Sequence, residues 1–452
     1  MIVVKFGGTS VGDAAAIKRA ADIVRTRLKH QPVVIVSALS GVTNSLLAIG
    51  EHGSAGHLIA AIASVEEMRS RHLDIAGSLL RGSTELMEVS SELSAMFDEL
   101  ASLAEALSVL GHLTPRSQDA IASIGERASC QLVVAAFNAL DVAADLVDAR
   151  RVMTTDDGFT RATPSADAIA RNARELLLPV AMAGRVPVMG GFIGATSTGI
   201  TTTLGRGGSD YSASLVGAAL GVEAIEIWTD VDGMLTADPR VVNGARLIEE
   251  IRFDEASELA TFGAKVLHPN TIAPAVRRGI PVFIYNSWKP EGKGTRIISD
   301  ARRRDVSAIA GKAGVSVVKV QSTRMLLAHG FLRAIFETFE RHRVSADVVA
   351  TSEVSVSVTI DDPTHLDSLV VDLASLGDVS VERKRAIIAI VGAGLGERAS
   401  TMGRALSALG DVPVRMISLS ATEINLTIIV DENDLGEGMC ALHDEFFGAA
   451  SP

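Results

Sequence analysis

The sequence predicts an α/β protein in two parts. A large domain holds a central, mainly parallel sheet sandwiched by helices, and a smaller unit then occurs twice. Three observations support this. Short apolar runs at 3–6 and 32–37 flank a helix-periodic segment at 14–29, the strand–helix–strand order of a parallel sheet. A charge run at 300–305, Asp-Ala-Arg-Arg-Arg-Asp, interrupts the chain and reads as a solvated linker. Beyond it, one order of strands and helices is met twice in succession.

Each element follows from its composition. Residues 53–113 are rich in Ala, Leu, Glu and Ser and poor in strand formers, which predicts helix. Strands at 142–148, 186–189, 224–229 and 281–285 continue the sheet and make it doubly wound, within a domain spanning 1–302. Residues 186–205 carry no charge, yet glycine and threonine crowd them; they read as a loop-rich stretch rather than a membrane span. In the first repeat, a strand at 315–320 precedes a helix at 331–341, strands at 346–350 and 354–360, a helix at 366–376 and a strand at 379–383. The second has strands at 386–391, 414–419 and 424–430 and helices at 398–409 and 435–446. Each repeat is about 70 residues long.

Charge and cysteine usage narrow the function. The 452 residues carry a net charge of −12, which argues against nucleic acid or an anionic membrane as partner. Local cations can still hold an anionic substrate. The two cysteines, Cys130 and Cys440, lie far apart. That excludes a disulfide scaffold, argues against a zinc cage and fits a reducing cytoplasm. Lys5 and the following glycines interrupt the first apolar run, so it does not read as a signal peptide.

The chemistry gathers in a few segments. Lys5-Phe-Gly7-Gly8-Thr-Ser ends the first strand. Two side-chain-free positions let backbone N–H groups approach an anion, and Lys5 adds a charge. An ordinary strand-to-helix turn is the competing reading. Ser37-Ala-Leu-Ser-Gly-Val-Thr43-Asn44 follows the second strand, and Gly125-Glu126-Arg127 sits in a helical stretch. Thr203-Leu-Gly-Arg206-Gly-Gly-Ser209-Asp210 opens a helix, whose N-terminus favours anions. Arg206 offers a bidentate fork, and Asp210 can order lysines, bind a metal or simply stabilise the first turn. Trp228-Thr229-Asp230, Arg240 and Lys265 follow. No serine-hydrolase, zinc-protease or protein-kinase signature occurs. Phosphoryl transfer to a carboxylate needs no general base, because that group is ionised at neutral pH. It needs positioning and positive charge.

At this point the residues resemble a known family. Lys5-Phe-Gly-Gly-Thr-Ser, Gly125-Glu-Arg, Thr203-Leu-Gly-Arg-Gly-Gly-Ser-Asp, Trp228-Thr-Asp and Phe262-Gly-Ala-Lys-Val-Leu-His-Pro occur in the order found in aspartate kinases, across nearly the whole chain. The resemblance implies an amino-acid kinase fold followed by two ferredoxin-like ACT domains, at 314–385 and at 303–313 plus 386–452. It implies ATP-dependent phosphorylation of the L-aspartate side chain, with Mg2+ arriving on the nucleotide. Lys5 and Asp210 are then catalytic. Lys5, Gly7, Gly8, Thr229, Asp230, Leu235, Arg240, Lys265 and Val266 form the ATP site, although Leu235 stands where many relatives have tyrosine. Ser37, Thr43, Glu126, Phe192, Arg206 and Ser209 form the aspartate site, with Glu126 on the ammonium and Arg206 on the α-carboxylate. No protein metal ligand is implied.

For lysine-sensitive members, the resemblance places an inhibitory lysine at Met325, Ala328, Phe331, Leu332, Ser345, Ala346, Asp347, Thr351, Ser352 and Glu353. Ala328 and Ala346 replace serine and valine of a lysine-sensitive relative. A homo-oligomer joined through the ACT domains is implied, dimer or tetramer, and a monofunctional enzyme. Two alternatives stay open from the residues: a kinase of glutamate or N-acetylglutamate, and a catalytically silent amino-acid sensor.

Overall fold

The computed structural model describes residues 1–262, 271–326 and 328–448. They divide into two compact units, Met1–Met234 with Val266–Ser299, and Leu235–Lys265 with Asp300–Pro452.

The first unit is built on strands in the order Ala144–Leu146, Val186–Gly190, Pro32–Val36, Ile2–Phe6, Ala224–Thr229, Val282–Asn286 and Thr295–Ile298. All pair in parallel except the last, which is antiparallel to its neighbour. Every residue of Ile2–Phe6 and Pro32–Val36 is buried, as expected of strands covered on both faces. The chain leaves Ile2–Phe6 towards Pro32–Val36 on one side and returns to Ala224–Thr229 on the other. The carboxyl end of Ile2–Phe6 is therefore a topological switch point, where such sheets bind ligands.

Helix Ala14–Arg27 starts at Asp13, whose carboxylate accepts the Ala16 N–H at 2.7 Å. The helical stretch read at 53–113 resolves into Val42–Ser54, Leu58–Leu79 and Glu85–Leu110. Helix Pro115–Ala139 begins with a Thr114 cap and proline in its first turn. By length and composition it could cross a membrane. Its Ile121, Ile124, Leu132 and Phe137 instead belong to the hydrophobic core.

The loop expected within 186–205 holds more structure than predicted. After Val186–Gly190, the strands Ile193–Thr196 and Thr201–Thr203 form a hairpin, and Thr154–Thr155 pairs with the first of them. The glycines that suggested a loop serve packing. A Cβ on Gly194 would lie 2.5 Å from the Met153 carbonyl oxygen, so only glycine admits this approach.

The second unit carries a six-stranded antiparallel sheet, in the order Val349–Thr351, Ser355–Ile360, Ala308–Gln321, Asp378–Val391, Asn425–Asp431, Met416–Leu419. The separate strands read at 379–383 and 386–391 are one 14-residue strand, as is Ala308–Gln321. Register shifts between Lys312 and Val317 let the second of these run through both halves. Two hydrophobic clusters result, one around Val318, Ile335 and Val356 and one around Ile388, Ile428 and Leu442.

Residues 235–265 group with this second unit. Glu255, buried in helix Phe253–Thr261, accepts from Ser307 Oγ at 2.7 Å and the Ala393 N–H at 2.9 Å. The Ile309 N–H donates to the Thr236 carbonyl at 2.8 Å. Such long-range bonds override proximity in sequence.

Candidate active site

At the switch point the first strand delivers Lys5, which is only 8% exposed. The Gly7 N–H donates to the Trp228 carbonyl at 3.0 Å, and Ser10 Oγ to the same oxygen at 3.1 Å. The 7–10 turn is thus tied to the end of Ala224–Thr229. A Cβ on Gly8 would sit 2.8 Å from the Ala38 carbonyl oxygen, so this loop requires glycine to cross the one after Pro32–Val36.

Lys5 Nζ lies 2.6 Å from Asp210 Oδ1, a contact of opposite charges without the angles of an aligned hydrogen bond. Asp210 stands in the first turn of helix Gly208–Leu220, which Gly207 caps in the left-handed conformation at φ 73°. Arg206 is exposed and makes no ion pair among the described residues. Phe192 adopts φ 65°, an unusual conformation for a bulky residue. It is held by bonds from its N–H to Ser212 Oγ at 3.1 Å and from the Leu204 N–H to its carbonyl at 2.9 Å. A Cβ on Gly208 would meet its ring at 2.8 Å.

Glu126 is the electrostatic anomaly. It is 3% exposed and accepts a single side-chain bond, from the Ala38 N–H at 3.2 Å on Oε1. Its Oε2 is buried without a partner. Burial pushes its pKa up to about 8, because a carboxylate with little hydrogen bonding is costly away from water. Gly125 allows this placement, since a Cβ there would lie 2.8 Å from Ala38 Cβ.

All eight residues nominated for catalysis and for the acceptor line one cavity of about 530 Å³: Lys5, Ser37, Thr43, Glu126, Phe192, Arg206, Ser209 and Asp210. Sequence reasoning missed Asp119, Gln118, Thr160 and Thr203, which line it too. Asp119 accepts from the Thr160 N–H (2.9 Å), the Thr203 N–H (2.9 Å) and Thr203 Oγ1 (2.7 Å). Burial raises its pKa against the opposing pull of those three donors. The signal was present: residues 119, 122 and 126 share one helix face.

Of the nucleotide candidates, Gly7 bonds through its N–H to the carbonyl of Trp228, the residue before Thr229 and Asp230 in the chain. The Thr229 carbonyl accepts the Ser287 N–H at 2.8 Å, and Thr229 Oγ1 contacts Asp230 at 3.3 Å. Leu235 and Arg240 belong to the second unit. There Arg240 is exposed and forks onto Asp238 at 2.6 Å. Lys265 and Val266 lie outside the described residues. No group of three or more His, Cys, Asp or Glu side chains converges as a metal site among the described residues.

In the second unit, Met325, Ala328, Phe331, Leu332 and Glu353 line a cavity of about 420 Å³, together with Leu326, His329 and Arg333. Ser345, Ala346, Asp347, Thr351 and Ser352 do not line it. Asp347 lies 3.6 Å from Lys312, and burial beside Asp361 pushes its pKa up to about 7.

A buried, unpartnered Glu126 oxygen beside Lys5 and Arg206, the latter unpaired among the described residues, at a switch point, fits a small-acid kinase of α/β type. Consistent with this, residues 1–286 match the amino acid kinase family and residues 388–446 an ACT domain. The chain is 38% identical to lysine-sensitive aspartokinase 3 of Escherichia coli over 456 residues, covering 99% of each. It is 37% identical to the chloroplastic aspartokinase 1 of Arabidopsis thaliana, covering 98% of this chain and 80% of that one. The structure superposes on E. coli aspartokinase III in complex with aspartate and ADP, in the R-state, with TM-score 0.86 and 37% identity. That match covers 99% of this chain and 100% of the other. For the complex of the same enzyme with lysine and aspartate, in the T-state, the values are 0.83 and 38%, with 99% of each chain covered. The chain belongs to the aspartokinases.

Proposed function

We propose that this protein transfers the γ-phosphoryl group of ATP to the side-chain carboxylate of L-aspartate, giving 4-phospho-L-aspartate. The observation that carries the reading is the unpartnered Glu126 Oε2, buried in the cavity that also holds Lys5 and Arg206. Such a cavity fits a molecule with one ammonium and two carboxylates. Glu126 takes the α-ammonium, Arg206 forks onto the α-carboxylate, and Ser37, Thr43, Phe192 and Ser209 complete the pocket.

The side-chain carboxylate of the acceptor is then left facing Lys5. It is already ionised, so one of its oxygens attacks the γ-phosphorus directly while the bond to the ADP oxygen breaks. Lys5, with the Gly8 N–H, offsets charge on the transferring group. Asp210 holds the Lys5 ammonium in place. Thr229 and Asp230 are proposed to contact the nucleotide, with Leu235, Arg240, Lys265 and Val266 contributing from further along the chain. Mg2+ enters as part of the MgATP substrate, carried by its phosphates.

Calorimetry in the presence of ADP tests the acceptor assignment. L-Aspartate should bind about 100-fold more tightly than succinate, which lacks the ammonium that Glu126 needs. Equal affinity for the two would refute the role of Glu126.

Regulation by L-lysine is part of the proposal. It is supported by the acidic Glu353 at the cavity in the second unit and by the similarity to a lysine-sensitive enzyme. Glu353→Ala should raise the lysine concentration for half-inhibition about tenfold or more, by removing a carboxylate partner of an ammonium. An unchanged inhibition curve would place the effector elsewhere. Domain limits of 314–385 and 303–313 plus 386–452 for the ACT pair, assembly of copies through that pair, and a cytoplasmic location complete the reading.

A further inference from the structure

Arg71 lies outside the cavity lining, on helix Leu58–Leu79, and the mechanism above gives it no part. Its guanidinium nevertheless holds two loops of the site. Nη1 donates to the Ser40 carbonyl at 2.9 Å and Nη2 to the Gly12 carbonyl at 3.0 Å. One loop runs from strand Ile2–Phe6 through Gly7 and Gly8 to Gly12. The other runs from strand Pro32–Val36 to helix Val42–Ser54. It carries Ser37, the Ala38 N–H that binds Glu126, and Thr43 at the start of that helix.

The hydrogen bond that joins the two loops directly is a backbone one, with the Ser40 side chain beside Gly12. The Ser40 N–H donates to the Gly8 carbonyl at 3.1 Å, and Gly8 has no room for a Cβ against the Ala38 carbonyl. Among the described residues, no side chain of either loop hydrogen-bonds the other loop. A planar fork that engages one carbonyl from each loop supplies a lock between them.

We propose that Arg71 is a positioning residue that fixes the phosphoryl-binding loop against the acceptor-binding loop. It thereby sets the distance between the phosphoryl group and the attacking carboxylate. The inference rests on the reading of the cavity given above. A lysine cannot replace it, because a single ammonium on a flexible stem does not reproduce the fixed two-donor geometry. Arg71 also borders a groove of about 680 Å³, lined by Gly12, Asp13, Glu67, Asp74 and Ser78. Its carboxylates would draw a free guanidinium ion to the place a truncated Arg71 vacates.

The test is steady-state kinetics of Arg71→Ala and Arg71→Lys, with and without guanidinium chloride far below denaturing concentrations. Thermal melting and calorimetric binding of L-aspartate in the presence of ADP are measured on the same variants. Arg71→Ala should lose about 10- to 100-fold in kcat, the effect of a misplacement near 1 Å. Added guanidinium should restore much of that loss, and Arg71→Lys should stay low. Parent-like kcat in either variant overturns the proposal, as does a loss that guanidinium leaves unrestored. Should Arg71→Ala not fold, Arg71→Lys decides by the same kcat comparison. A parent chain that binds aspartate without turning it over would refute the proposed reaction instead. The Arg71 claim would then be decided by whether Arg71→Ala weakens aspartate binding and guanidinium restores it.

Discussion

Replacing Glu126 with glutamine should raise the KM for aspartate about 100- to 1,000-fold while making the protein more stable. The first effect follows because the amide cannot pair with an ammonium in a buried site, where breaking such a pair costs about 3–5 kcal/mol. The second follows from proton linkage. The folded-state pKa of Glu126 stands near 8, above its ordinary value of 4.5. Between those values the folded protein holds a proton that the unfolded chain releases. The stability tied to that proton is complete below 4.5 and is lost as pH rises through 8. Glutamine removes this dependence, so the variant should gain in Tm over the parent as pH is raised from about 4.5 towards 8, with the gain levelling off above that. Melting curves from pH 5 to 9 on both proteins would show it; parallel curves would contradict it. In the parent, kcat/KM for aspartate should climb with pH up to about 8, as Glu126 acquires the charge that receives the ammonium.

Replacing Lys5 with methionine should lower kcat about 1,000-fold, the scale on which a preorganised charge at a transferring group acts. The same change leaves Asp210 without its 2.6 Å partner in a largely buried setting, so a loss of stability is expected as well. The double variant Lys5→Met/Asp210→Asn separates these effects. It should recover Tm but not turnover. Recovery of turnover would show that Lys5 serves only to neutralise Asp210. Asp210→Asn alone should cost less than Lys5→Met, because it loosens the ammonium without removing it.

The site residues differ in how openly the sequence announced them. Lys5, Gly7 and Gly8 were legible because a phosphate cradle is local: an apolar strand, a cation and two glycines in a row. Arg206 and Asp210 were legible for the same reason, at the start of a helix. Asp119 was not, because its partners Thr160 and Thr203 lie 41 and 84 residues away. Thr203 reaches Asp119 from the hairpin Ile193–Thr196/Thr201–Thr203, whose glycines and threonines looked like a loop, and Thr160 from the segment that the Ala162 N–H ties to the Thr203 carbonyl. The elevated pKa of Glu126 was equally hidden, since burial by the sheet and by Gly125 cannot be read from a helix pattern.

The same limit explains the second unit. The order of its strands and helices was legible, but a bulged strand crossing two pseudo-repeats looks like two strands in sequence. Residues 235–265 follow the strand Ala224–Thr229 in the chain yet group with the second unit. Glu255 and Thr236 bind partners 50 to 140 residues further on, and those bonds decide where the segment packs.

The central claim is that the Glu126–Arg206–Lys5 cavity selects L-aspartate as phosphoryl acceptor. The most direct measurement is acyl-phosphate trapping with hydroxylamine, using ATP and Mg2+ with L-aspartate, L-glutamate and N-acetyl-L-glutamate in parallel. ATP-dependent hydroxamate from L-aspartate alone is the predicted result. Hydroxamate from N-acetyl-L-glutamate in place of L-aspartate, or from none of the three, would contradict it.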